Sequence, residues 1–405
     1  MKDNKLFLII LAISLAACGT QATPTPEPTL APTNTIAPTA TFEPSPTPEP
    51  SFPEGEIKIA VLAPLSGPVP DFGESIKRGA EMAFEEWNNT GGVLGKKIVP
   101  ILEDSQCSPE IAKEMAKKVI DQDGVHYILG ETCSGASIPV SDIAEARGVI
   151  QISPVSTNER VTIKNNGSTK QYVFRACFID AFQASAAAKF AWEKGLQSAF
   201  VMSNPSDNYS KSLASEFIKT FKELGGVVVG NETYKKTENN FGPILQKAKE
   251  SNADVTYLPD YYANVNLIAA QAIAVGLDTV IIGGDGWSRN LDLGLTEGYY
   301  FTSHYALDDK RSINQDFIRN YSAKYSGQPD DLAALSYDAT NLLLEAIKQT
   351  GVDDPKLIKD VLASIQFEGV TGMIRFDAAH NPIKDVVVMG IRNGKVVYIT
   401  SVTPD

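Results

Sequence analysis

Beyond residue 55 the chain alternates short apolar runs with stretches of helical spacing, and this alternation restricts the fold more than any other feature. Residues 57–63 are an apolar run ending in Pro64-Leu65-Ser66-Gly67-Pro68, a strand entering a loop; residues 75–87 then place Ile76, Ala80, Ala83, Phe84 and Trp87 at helical spacing. The pattern repeats. It predicts strands at 98–102, 127–130, 149–153, 198–202, 227–233, 255–258 and 280–283, and helices at 109–120, 137–146, 209–224, 243–250 and 265–275. Such alternation calls for α/β architecture with parallel sheets covered on both faces, and 405 residues are enough for two doubly wound lobes. Near the end, 386–391 and 396–399 flank Asn393-Gly394, which predicts a hairpin with a type I′ turn. In doubly wound sheets ligands bind beyond the carboxyl ends of the strands, so a site is sought there.

The first 54 residues do not belong to that pattern. Lys2 and Lys5 precede the apolar run 6–15, which is followed by small residues and Cys18, the layout of a secretory signal peptide over 1–17. Ten positions, nine of them apolar, are too few to span a bilayer comfortably. Leu15-Ala16-Ala17-Cys18 resembles the bacterial lipobox, which makes Cys18 the expected lipidation site; ordinary cleavage nearby, with a stray thiol, is the competing reading. Residues 19–54 hold ten of the 24 prolines and nine threonines without apolar periodicity, so 18–54 reads as a lipidated cysteine and an extended tether with a reach of roughly 100 Å. Signal and tether carry +1 and −4, so −10 of the net −13 belongs to the folded part.

That acidity argues against nucleic acid or anionic lipid as partners of the folded part. The three histidines, His126, His304 and His380, lie too far apart for a local metal-ligand spacing, and no metal or cofactor is expected. No Gly-x-Ser-x-Gly elbow, Walker loop, Cys-x-x-Cys or His-Glu-x-x-His occurs, and neither Gly225-Gly226 nor Gly283-Gly284-Asp285-Gly286 has dinucleotide spacing. Nothing here argues for an enzyme.

A series of short motifs carries a resemblance: Ile59-Ala60-Val61-Leu62-Ala63-Pro64-Leu65-Ser66-Gly67-Pro68 with Gly73, then Asn88-Asn89-Thr90-Gly91-Gly92-Val93-Leu94-Gly95. Glu103-Asp104-Ser105-Gln106-Cys107-Ser108-Pro109, Gly130-Glu131-Thr132-Cys133-Ser134-Gly135, Ile152-Ser153-Pro154, Phe174-Arg175-Ala176-Cys177-Phe178-Ile179-Asp180-Ala181-Phe182-Gln183 and Gly283-Gly284-Asp285-Gly286-Trp287 follow in order. Over 56–405 the chain resembles the leucine/isoleucine/valine-binding proteins of ABC importers, the type I periplasmic binding proteins. The resemblance implies two lobes joined by a three-crossing hinge, 56–179 with 304–378 and 180–303 with 384–405, closing on a ligand. It also implies a disulfide between Cys107 and Cys133, in keeping with an oxidising compartment, and leaves Cys177 as a small buried hydrophobe.

Candidate ligand-binding residues follow. Ser134 lies between a predicted strand and a predicted helix, where its hydroxyl and the amides from Gly135 onward suit a carboxylate; the family's equivalent serine binds the ligand α-carboxylate, and a plain helix N-cap is the alternative. Thr157, with Val155 and Ser156, matches a threonine that contacts carboxylate and ammonium, or is a loop hydroxyl. Asp285 stands where leucine-type members place a glutamate for the ammonium, one methylene shorter here; alternatively it caps its own turn. Tyr209 and Tyr261 align with ligand-facing tyrosines and Phe72 with a bordering aromatic, each with ordinary packing as the other reading. Asp180 and Glu131 add polar inventory or serve as hinge and cap.

The expected function is a lipid-anchored, extracytoplasmic solute-binding protein, at the periplasm or cell surface, that captures a branched-chain or similar amino acid and delivers it to an ABC permease as a monomer. A sensor of the same fold signalling to a membrane receptor, and a binding protein for a small amide or other carboxylate, are the alternatives; a hydrolase on this scaffold is a third class. That no transmembrane segment follows Asp405 favours delivery. Neighbouring permease and ATPase genes would separate delivery from sensing, and turnover of bound ligand would identify an enzyme.

Overall fold

Val, Ile and Leu dominate the short apolar runs, and in the computed structural model, which describes residues 52–403, these runs are strands buried between helical layers. The signal peptide, Cys18 and the tether up to Ser51 lie outside the described residues. The first half runs β1 (Glu56–Ala63), α1 (Pro70–Asn89), β2 (Lys97–Asp104), α2 (Pro109–Asp121), β3 (Tyr127–Gly130), α3 (Ser134–Arg147), β4 (Ile150–Ser153) and β5 (Val173–Arg175). Then come α4 (Asp180–Glu193), β6 (Ser198–Ser203), α5 (Asn208–Glu223), β7 (Val227–Thr233), α6 (Gly242–Glu250), β8 (Val255–Tyr257), α7 (Tyr262–Val275), β9 (Val280–Gly283) and β10 (Tyr300–Ser303). The remainder is α8 (Ser312–Tyr325), α9 (Asp331–Thr350), α10 (Pro355–Ser364), β11 (Phe367–Gly369), β12 (Gly372–Ile374), β13 (Val386–Arg392) and β14 (Lys395–Val402).

Two large sheets result. The first, ordered β2-β1-β3-β4-β5, is wholly parallel. The second, ordered β14-β13-β10-β9-β8-β6-β7, is parallel from β10 to β7 and carries the C-terminal hairpin as an antiparallel edge. That hairpin turns at Asn393 (φ 54°) and Gly394 (φ 66°), both left-handed as a type I′ turn requires. The chain passes between the sheets three times, after β5, after β10 and before β13.

Helices α8 to α10 return to the first sheet. Trp87 Nε1 of α1 donates to Asn341 Oδ1 of α9 at 2.8 Å, and Ser336 Oγ of α9 donates to the Ile76 carbonyl at 2.7 Å. The two backbones meet at Gly79, where a Cβ would lie 2.2 Å from the Ala333 carbonyl oxygen. Ile59, Leu62, Ile128, Ile150, Ile152 and Leu335 are wholly buried beneath these helices, so the first lobe has a rigid core behind its strand ends.

Two boundaries shift in ways that matter for function. Helix α1 starts at Pro70, five residues before the expected position, because proline at N1 fixes a helical φ at no hydrogen-bond cost; Phe72 thus sits on its first turn. Helix α3 starts at Ser134 rather than Ser137, which puts Ser134 and Gly135 in its first turn.

Candidate binding cleft

Strand ends from both sheets meet at one cleft, as doubly wound architecture directs. Phe72, Thr132, Ser134, Val155 and Leu332 reach it from the first lobe; Tyr209, Tyr261, Asp285 and Gly286 reach it from the second. Together they line a cavity of about 20 Å³. Six of the sequence-predicted residues therefore share one space: Phe72, Ser134, Val155, Tyr209, Tyr261 and Asp285. Gly135, Ser156 and Thr157 do not line it.

On the first-lobe wall, Ser134 opens α3 but does not cap it. The N-cap position belongs to Cys133, whose N–H donates to Glu131 Oε2 at 2.6 Å, while Ser134 Oγ accepts the Asn158 N–H at 3.3 Å. The Ser134 and Gly135 amides lie in the turn that has no acceptor within its own helix, at the positive end of the helix dipole. A disulfide between Cys107 and Cys133, with Cα atoms 5.5 Å apart, ties this helix start to the loop after β2. Ser156 is occupied internally, since its hydroxyl bonds the Glu131 and Thr132 carbonyls and the Ser137 hydroxyl. Among the described residues Thr132 Oγ1 is buried without a partner and so retains hydrogen-bonding capacity beside the cleft, whereas Thr157 faces the Asp180 carboxyl and favours its charged form.

On the second-lobe wall, Asp285 does not cap its own turn. Its Oδ1 accepts the Tyr209 hydroxyl at 2.8 Å and its Oδ2 lies 2.8 Å from His304 Nε2. Tyr209 Oη in turn accepts the Gly286 N–H at 2.9 Å. The turn must be glycine-rich because rings pack onto its backbone: a Cβ on Gly284 would lie 2.4 Å from Tyr209 Oη, and one on Gly286 would lie 3.1 Å from the Tyr261 ring. Tyr209 and Tyr261 stack at 5.0 Å, and Tyr261 meets Phe72 of the opposite lobe edge-on at 6.0 Å. Burial pushes both phenols well above the ordinary tyrosine range, so they stay protonated.

Glu131 and Asp180 stand behind the cleft. Burial raises each carboxyl to about 7. Glu131 accepts from Ser105 Oγ and from the Cys133 N–H, and Asp180, first residue of α4 at a chain crossing, accepts from Asn158 Nδ2 at 3.2 Å. Both are braces of the frame, the capping and hinge alternative.

Residues that sequence reasoning passed over are Thr132, Leu332, Gly286 and His304. Thr132 and Gly286 lie inside the family-like motifs and were legible there. Leu332 comes from α9, distant in sequence, and only the tertiary fold brings it in. His304 follows β10, the strand beside β9, so its pairing with Asp285 depends on sheet order.

Contacts also cross the cleft mouth. Tyr262 Oη donates to Asp71 Oδ2 at 2.9 Å, Arg289 pairs with Asp330 at 2.7 Å, Ser288 Oγ donates to Asp331 Oδ2 at 2.7 Å, and Asn158 Nδ2 donates to the Asn208 carbonyl at 3.1 Å.

Residues 56–395 match the family described as periplasmic binding protein. A leucine-, isoleucine-, valine-, threonine- and alanine-binding protein of Pseudomonas aeruginosa is 28% identical over 325 residues, 79% of this chain and 86% of its own. Among solved structures, a leucine binding protein of Thermotoga maritima is 33% identical over 86% of this chain and 99% of its own, with TM-score 0.81. A branched-chain amino acid transporter substrate binding protein of Streptococcus pneumoniae, solved with isoleucine, is 30% identical over 86% of this chain and all of its own, with TM-score 0.80.

Proposed function

The chain belongs to the periplasmic binding protein family, and from that premise we propose that it captures a branched-chain amino acid between its lobes for delivery to an ABC permease. The family is one of binding proteins, not catalysts. One observation carries the choice of ligand: the cleft sets Ser134, the first residue of α3, on one wall, Asp285 on the other, and Phe72, Val155 and Leu332 around the same space. That is the complement of a molecule with a carboxylate, an ammonium and an aliphatic side chain. The helix start receives the carboxylate, Asp285 the ammonium, and the apolar group the side chain; Thr132 offers an unpaired hydroxyl near the carboxylate end. Similarity to proteins whose names specify leucine, isoleucine and valine supports the same ligand class. The moving bodies are 56–179 with 304–378 and 180–303 with 384–405. Lipidation of Cys18 holds them outside the cytoplasmic membrane on the tether 18–54, and amino acid passes to the permease from there.

Calorimetric titration with leucine, isoleucine and valine tests this, with a thermal-shift screen of other amino acids alongside. Binding of at least one of the three is expected, and a ligand at 100 times its Kd adds about 2.7 kcal/mol of stability. Failure of all three in folded protein would remove the reading.

A further inference from the structure

The Asp285–His304 pair is more than packing, and resting on the amino-acid reading above we propose that His304 is a positioning residue: by donating from Nε2 to Asp285 it sets the carboxylate for the ligand ammonium, and its protonation turns the same pair against the ligand. The geometry is specific. His304 Nε2 lies 2.8 Å from Asp285 Oδ2, Tyr209 Oη lies 2.8 Å from Oδ1, and the imidazole is stacked on Phe178 at 3.6 Å between centroids, so the carboxylate is held from two sides. A carboxylate only accepts, so Nε2 carries the hydrogen and Nδ1 is left as an acceptor. Nδ1 is buried and has no partner among the described residues.

This arrangement answers the missing methylene. An aspartate reaches less far than a glutamate, and two fixed donors, one on each oxygen, hold its carboxylate facing one direction. The chain achieves that direction without a second charge, because burial first of all, and the Lys384 ammonium after it, keep His304 below the ordinary histidine range and neutral near pH 7, although Asp285 pulls the other way.

His304 also borders a second, larger cavity of about 670 Å³, together with Arg311, Thr371 and Lys384. Other titratable groups around the pair act through Asp285: Asp180 and Asp331, each raised to about 7 by burial, the Cys177 thiol raised to about 12, and the phenols of Tyr209 and Tyr257.

The sign of the pH effect follows from linkage. A ligand ammonium beside Asp285 adds a positive charge next to His304 and lowers its proton affinity further, so binding expels a proton wherever free His304 is charged. By reciprocity, protonated His304 competes with the ammonium for Asp285, and affinity falls with falling pH on the acid side of the free histidine's transition.

The test is calorimetric titration of leucine from pH 5 to pH 8 for the wild type, His304→Phe and His304→Gln, each checked for folding by its melting curve. Phenylalanine keeps the stack on Phe178 and removes the donor; a loss of roughly 10-fold to 100-fold is expected at pH 7.5. Glutamine keeps a neutral donor and does not titrate, so it recovers part of that loss and flattens the acid limb below pH 6.5. Wild-type affinity in His304→Phe, or an acid limb in His304→Gln as steep as in the wild type, would overturn the role of His304 alone. A wild type that binds no amino acid would instead overturn the amino-acid reading and this inference with it.

Discussion

Asp285 accepts from Tyr209 and His304 at once, which makes alanine a blunt probe of its role. Truncation to alanine strands two buried donors, at about 1 to 3 kcal/mol each, and so mixes instability with lost affinity. Asp285→Asn is the gentler variant: its amide oxygen accepts from one of the two donors, its NH2 is accommodated once the His304 imidazole takes the other tautomer and accepts, and the negative charge is gone. If Asp285 holds the ammonium, the asparagine variant loses about 2 to 5 kcal/mol of binding, a factor of roughly 30 to several thousand in Kd, with a much smaller change in melting temperature. Calorimetric titration beside thermal melts reads both numbers, and near-normal affinity in a folded variant would remove Asp285 from the site. The sequence showed this aspartate at a strand end in a glycine-rich turn, and so supplied its place. It did not show its partners, because Tyr209 and His304 lie 76 and 19 residues away and meet it only through the order of β6, β8, β9 and β10.

At the scale of elements, the start of α3 is fixed by covalent and polar ties. The Cys107–Cys133 disulfide closes a separation of 26 residues, and the Glu131 carboxyl takes the N–H of the N-cap residue. Replacing both cysteines with serine is expected to cost about 3.5 kcal/mol of folding stability in the chain-entropy account, and to weaken leucine binding as well, because the amides proposed for the carboxylate lose their anchor. Denaturant melts and titration of the double variant measure the two effects; unchanged stability would show the bond to be dispensable. Elements of this kind were readable where strands alternate with two-faced helices, as in β1 to β4 and β6 to β9. Helices α4, α8, α9 and α10 were not predicted; α4 and α9 are buried around most of their circumference and leave only a narrow polar stripe, Ser185, Lys189 and Glu193 on the one and Asn341, Glu345 and Lys348 on the other. Their ends were nonetheless marked: Asp330 Oδ1 accepts the Ala333 N–H at 2.8 Å at the start of α9, and Asp354 before Pro355 caps α10.

At the scale of the whole molecule, the size of the cleft and the contacts across its mouth bear on motion. A cavity of about 20 Å³ has room for roughly one water, whereas leucine occupies several times that volume, so the space has to widen before an amino acid fits, and separation of the lobes is the expected way. The polar contacts to be broken are Tyr262 to Asp71, Arg289 to Asp330, Ser288 to Asp331 and Asn158 to the Asn208 carbonyl, beside the packing of Phe72 on the Tyr261 and Tyr262 rings. Partly exposed bonds of this kind are worth about 1 kcal/mol or less each, a scale that lets a bridging ligand outweigh them. Ligand shifts the equilibrium toward closure only through contacts it makes in the closed form and not in the open one, and a carboxylate on one lobe with an ammonium on the other meets that condition. Tyr262→Phe removes one latch, the bond to Asp71, without touching the lining of the cavity. The variant is expected to show a larger radius of gyration than the wild type without ligand, the same radius as the wild type with saturating leucine, and an affinity lowered by up to about fivefold, the cost of closing without that bond. Small-angle scattering of both proteins, with and without leucine, distinguishes this from a rigid cleft: radii that stay equal in all four samples while leucine binds would mean that ligand gets in by local side-chain movement and that the lobes do not hinge.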